Sequence, residues 1–245
     1  MTTIPALLFP LSFLVALLAG HLFRARDLPR VRFWVLKGIV FFALAGVINM
    51  LLPPLATRLF AGHALFDLTA LPTLAGVLIG LVALDFVSYW FHRVKHTSPV
   101  LWRWLHQLHH SAERVDVAGF SYTHPLELAL NIVMASLVGG VLGLAPAATA
   151  IVGYITFMLG IFQHSNIATP AWLGYLVQRP ECHALHHARG IHAFNYGWLA
   201  LWDAVFGTWR NPREFAAEAG FWDGASRRVV PLLVGRDVTR DTVAR

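Results

Sequence analysis

Residues 71–96 read LPTLAGVLIGLVALDFVSYWFHRVKH, an apolar run with one acid, Asp85, that ends on two histidines, His92 and His96. A bilayer core is crossed by about 20 helical residues, so 71–91 has the length of a membrane-spanning helix. Spacing of four sets the two imidazoles a turn apart on one helical face, as two ligands of one metal ion require. This one stretch therefore predicts a helix that carries metal-binding side chains to a membrane boundary.

Four further apolar segments flank it, at 4–20, 33–52, 126–144 and 147–163. No basic stretch precedes 4–20, which reads as a membrane helix and not a cleaved leader. Lys37 lies near one end of 33–52, where its long stem can reach the interface. The last two segments meet at Ala145-Pro146 and form a hairpin that crosses twice, or one that enters and returns, because 147–163 is short for a full crossing. Composition agrees: 57% of the 245 residues are hydrophobic and 13% charged, about half the usual charged share. A net charge of +6 does not mark a nucleic-acid partner, since no Lys/Arg stripe is present and the arginines sit in loops beside apolar runs. Cys182, the single cysteine, excludes an intrachain disulfide and reads as an inert helical thiol.

Loop charge orients the chain. Arg24, Arg26, Arg30 and Arg32 separate the first two segments, against Arg58 alone between the second and third. The basic loop belongs in the cytoplasm, so the third segment delivers His92 there, beside Arg93, Lys95, Arg103 and Arg114. An even crossing by the hairpin returns His164 and all that follows to the same side. The expected fold is an all-α polytopic membrane protein of four to five apolar helices with a cytoplasmic helical cap carrying the histidines. Residues 1–70 form N-terminal membrane helices, 71–212 the histidine-bearing region, and 213–245 a polar tail that caps the cytoplasmic side or frays, all in one integrated domain.

Thirteen histidines are present, and eight fall in three clusters: His92 and His96; His106, His109 and His110; His183, His186 and His187. Each has helical spacing on one face, and the three meet at one membrane surface. Crowded imidazoles repel when protonated, and a metal holds them neutral. Eight to ten imidazoles exceed the four to six donors of one ion, so two ions are expected, with His124 and His164 at the same boundary. Ligand type alone allows zinc, copper, iron or nickel. No zinc-protease helix motif, phosphate loop, nucleophile elbow or dinucleotide fingerprint is found. Asp85 is a candidate to accept a hydrogen bond from a ligand imidazole, or to pair with an arginine; Glu127, Asn166, Asn195 and Asp203 are further candidates. Tyr89, Trp90, Trp102 and Trp104 read as interface-belt aromatics, His21 and His63 as surface residues, and His192 is left unassigned. A membrane haem protein and a zinc-dependent membrane hydrolase are the alternative functions.

The clusters, together with Asp85-Phe-Val-Ser-Tyr-Trp-Phe-His92-Arg, Leu101-Trp102, His110-Ser111, His124-Pro-Leu-Glu127, Gln163-His-Ser-Asn166, Asn195-Tyr-Gly197 and Trp202-Asp-Ala-Val-Phe-Gly-Thr208, resemble the fatty acid hydroxylase / sterol desaturase superfamily. The likeness covers about residues 75–210. Many relatives carry an arginine two residues before the His-Pro pair, where Tyr122 stands here. The resemblance implies a membrane di-iron oxidoreductase that uses O2 to hydroxylate or desaturate a lipid C–H bond. It adds His124 and His164 to the ligands. Zinc fits the same donors but is redox-inert. With no flavin, NAD(P) or haem motif in the chain, electrons must come from an external ferredoxin or cytochrome with its reductase, docked on the basic loops. A bacterial plasma-membrane location is the expected setting.

Overall fold

The computed structural model describes residues 3–60 and 62–239. The elements are α1 (Thr3–Leu22), α2 (Trp34–Phe60), α3 (Thr73–Thr97), α4 (Pro99–Leu101), a π-helical turn (Trp102–His106), α5 (Gln107–His110), α6 (Val117–Ser121), α7 (Pro125–Leu142), α8 (Pro146–His164), α9 (Pro180–His186), α10 (Ala200–Val205) and α11 (Val229–Leu233). Among the described residues there are isolated bridges but no strand. The protein is an all-α polytopic membrane protein. Helices α2, α3, α7 and α8 are each long and apolar enough to cross a bilayer, α1 contributes a shorter apolar stretch, Leu7–Leu22, and α8 has 19 residues.

Proline and glycine set the ends. Pro125, Pro146 and Pro180 each open a helix at its first position, where the missing N–H costs nothing. Gly143 closes α7 in the left-handed conformation at φ 59°, and the α7–α8 hairpin turns on it. In lipid, helices associate through close packing of small residues. Gly76 and Gly80 provide this on α3: a Cβ at Gly76 would lie 3.2 Å from Ala148, and one at Gly80 would lie 2.8 Å from Leu144 and 3.1 Å from Val152. The outward faces of α1 and α2 stay apolar and exposed, as at Leu14, Leu18, Val47 and Leu51, where lipid tails replace water.

The packing brings one end of every long helix to the same boundary. Gly20 of α1 packs on Val117, and Gly38 of α2 lies on Ala118, both in α6. Leu65, beyond the far end of α2, bonds Val141 near the far end of α7. Helices α1, α3 and α8 therefore end, and α2 and α7 begin, where the histidines gather. Residues 213–239 fold back over this end. Leu232 and Val238 enter a core with Trp34, Leu108 and Tyr122, and the Gln107 side chain bonds Arg236 O and Val238 N. Residues 240–245 of the expected tail lie outside the described residues.

Candidate metal centre

Two groups of imidazoles form the site: His92, His96, His106, His110 and His186 in one, and His109, His164, His183 and His187 in the other, with the donor atoms of each group within 4.8 Å of one another. The helical pairs decide the partition. Members four apart stay together, as His92/His96, His106/His110 and His183/His187 do, while His109 and His186, at the i+3 positions, turn to the other group. Each adjacent doublet, His109-His110 and His186-His187, is thus divided between the groups. The rings of His110 and His187 stack 4.1 Å apart across the divide.

Hydrogen bonds behind the rings aim the donors. His92 Nδ1–H donates to Tyr196 O at 2.7 Å, His186 Nδ1–H to Phe194 O at 2.7 Å, and His164 Nδ1–H to Gly160 O at 2.8 Å. His106 Nδ1–H donates to Glu127 at 2.9 Å, and His109 Nδ1 lies 3.3 Å from Tyr122 O. Each bond fixes the tautomer that leaves Nε2 as an inward lone pair. The Nε2 atoms of His92 and His106 are 2.9 Å apart, those of His106 and His110 3.0 Å, and those of His109/His164, His164/His183 and His183/His187 3.1 Å. Two imidazoles bound about 2.1 Å from one ion at a right angle sit about 3.0 Å apart. His96 Nε2 and His186 Nε2 are buried with no partner. The donor set fits a divalent transition ion in each group. Burial holds the six histidines outside the spans neutral: it lowers the pKa of His186 to about 3 and drives those of His106, His109, His110, His183 and His187 well below the usual imidazole range.

Three other positions depart from the sequence reading. His124 stands in neither group: its Nδ1 caps α7 by accepting Leu126 N–H, and its Nε2–H donates to Leu233 O, which uses both nitrogens. Asp85 touches no imidazole and instead accepts the N–H groups of Trp198 and Leu199. Asn166 donates to Arg26 O, away from the donors.

The other candidates lie behind the site. Glu127 joins His106 to Lys95, a buried cation ion-paired with it, so Lys95 is not a surface residue of a docking loop. Asp203 accepts Tyr196 N–H at 2.9 Å, Gly197 N–H at 2.8 Å, Gln178 Nε2–H at 3.0 Å and Thr208 O–H at 2.6 Å. Asn195 ties the same loop to Cys182 O and Arg210 N. The loop's backbone is strained, with His192, Phe194 and Asn195 all at positive φ. His192, unassigned from the sequence, packs behind the first group, its Nδ1 3.0 Å from that of His110. Trp102 is a wall of the site, its ring beside those of His96 and His110, and Tyr89 is fully buried on Thr208; neither is an interface-belt residue.

A family model described as fatty acid hydroxylase matches residues 77–208, more than half of the chain, and spans every histidine of both groups. The chain belongs to the fatty acid hydroxylase family. The matched part of this hydroxylase-family chain is 31% identical over 140 residues to the ornithine lipid hydroxylase of Rhizobium tropici, covering 56% of this chain and 42% of that protein. It is 27% identical to human alkylglycerol monooxygenase, covering 54% and 30%, and 25% identical to Arabidopsis thaliana sphinganine C4-monooxygenase 1, covering 53% and 52%. The chain thus matches about half or less of each of these relatives' lengths. No solved structure matches it.

Proposed function

We propose that this protein is a membrane oxygenase that uses O2 and two iron ions to hydroxylate a C–H bond in the alkyl part of a lipid. The observation that carries the reading is the paired imidazole groups, five and four donors, with His92, His106 and His186 of the first and His109 and His164 of the second oriented by bonds on their outer nitrogens. Iron held there would supply what no side chain of this protein can, reductive activation of O2 against an unactivated C–H bond. Desaturation is the second reading; the names of the relatives, two monooxygenases and a hydroxylase, favour oxygen insertion.

The chain's own groups have separable parts. His92, His96, His106, His110 and His186 would hold one ion, and His109, His164, His183 and His187 the other. Glu127 accepts from His106 and is paired with Lys95, and a carboxylate on that imidazole raises its electron density. The rings of Trp102, Phe120 and Tyr196 pack on the histidines and keep bulk water from them.

The histidine end carries Arg24, Arg26, Arg30 and Arg32, the far end Arg58, which supports a cytoplasmic site. An external ferredoxin or cytochrome would dock on the basic rim at Arg93 and Arg103. Substituting both with glutamine is expected to slow reduction and flatten its salt dependence; unchanged kinetics would reject that surface. The function itself is tested by lipid mass spectrometry of cells making wild type or His106→Ala under 18O2. A wild-type-only lipid heavier by one 18O is expected; no difference, or a loss of two hydrogens without oxygen, contradicts hydroxylation.

A further inference from the structure

At the histidine end of the bundle, an open apolar groove of about 320 Å3 runs between the first turns of α2 and α11, lined by Phe33, Leu36, Lys37, Val40, Phe41 and Val229. Its lining is hydrocarbon apart from the one amine. Phe33 forms the mouth. It is a bulky residue held at φ 57°, a conformation that costs energy, with a 60%-exposed ring. The Arg32 guanidinium lies 4.6 Å from that ring's centroid. Lys37 donates to Ser226 O at 3.0 Å, and both the buried Glu113 carboxylate and exposed Arg227 act on it electrostatically. Among the described residues none of Arg32, Lys37 and Arg227 forms an ion pair. The nearby carboxylates are already engaged: Glu113 accepts Gly224 N–H and the Ser226 hydroxyl, and Asp116 holds Arg114. An apolar slot beginning where a spanning helix enters the bilayer, with Arg32 and Arg227 free of ion pairs at its mouth and Lys37 between them and the buried Glu113, has the chemistry of a two-part ligand: hydrocarbon inward and an anion outward.

We propose that this groove binds an anionic phospholipid of the surrounding leaflet, one acyl chain lying on Leu36, Val40 and Phe41 and the phosphate at Arg32, Lys37 and Arg227. The proposal rests on the membrane location alone and is independent of the metal chemistry. Bound there, the lipid would brace the fold-back segment, because Ser226 O also receives the hydroxyl of Tyr122, whose carbonyl faces His109.

The test is native mass spectrometry of the purified full-length protein, counting retained phosphatidylglycerol against phosphatidylcholine after exchange from mixed micelles. Wild type is expected to prefer phosphatidylglycerol. The exposed double variant Arg32→Gln/Arg227→Gln should lower that preference roughly thirty-fold, since each interfacial arginine is worth about fivefold. Val40→Trp, which fills the slot and leaves the charges, should reduce retention of the same lipid, and it serves alone if the double variant does not fold. Glycerol phosphate at equal concentration should not compete. Equal retention of the two lipids by wild type, unaltered preference in the charge variant, unaltered retention in Val40→Trp, or displacement by glycerol phosphate would each overturn the proposal.

Discussion

Asp203→Asn tests how the first histidine group is held in place. The carboxylate is fully buried and accepts four hydrogen bonds, two from the backbone of Tyr196 and Gly197 and two from Gln178 and Thr208. An amide keeps one acceptor oxygen and turns an NH2 toward groups that are themselves donors. At about 1–3 kcal/mol for each buried donor left unmet, two lost bonds cost about 2–6 kcal/mol, concentrated in the loop at 195–199. Burial raises the pKa of this carboxyl and the four donors oppose the shift, so its charged form leans on those neighbours and not on solvent. The loop presents Tyr196 O to His92 and Phe194 O to His186, and loss of such outer partners weakens metal binding about 10–100-fold. Anaerobic titration of metal-stripped protein against a competing chelator should show two binding steps in wild type. In the variant, the step assigned to the five-histidine group should weaken by that factor while the other stays. Two unchanged steps in a protein of lowered thermal stability, or two equal shifts, would refute the reasoning.

His124→Ala should remove a helix cap and one further hydrogen bond, costing about 2 kcal/mol, and leave two metal ions per chain; a fall to one by elemental analysis would return His124 to the ligand set. Gly160→Ala places a Cβ 2.6 Å from the Phe120 ring, so an overpacking loss of about 1–3 kcal/mol in thermal unfolding is expected, with weaker metal binding by His164, which bonds the Gly160 carbonyl; wild-type values for both would contradict the close approach. Acid should destabilise the metal-stripped protein. His186 titrates near pH 3 when folded and about 6.5 when unfolded, so between those values the unfolded chain binds the extra proton and stability falls as pH falls. At pH 5 this one imidazole costs about 2 kcal/mol. Unfolding temperatures equal at pH 7.5 and 5 would contradict a neutral buried cluster.

Much of this was legible in residues 71–96, because a span length and an i, i+4 histidine pair are local properties. The division of the histidines was legible only in part. Adjacent residues on a helix point about 100° apart, so His109-His110 and His186-His187 each had to face two directions, yet treating 106, 109 and 110 as one face hid this. What local pattern cannot contain is the partner across the fold. His124 bonds Leu233, 109 positions away, and Asp85 bonds Trp198, 113 positions away. Lys95 looked like one more loop cation until the fold set Glu127 beside it. The segment after residue 212 holds only one short apolar run, at 229–234, too short to announce a docked element, and its packing depends on a few buried side chains such as Leu232 and Val238.

The central claim is that two histidine groups hold two ions, and metal counting tests it most directly. Protein loaded anaerobically with ferrous iron should carry two ions per chain in wild type and close to one in either His186→Ala or His183→Ala, which remove a donor from different groups. One ion in wild type, or loss of both in each variant without unfolding, would contradict the account.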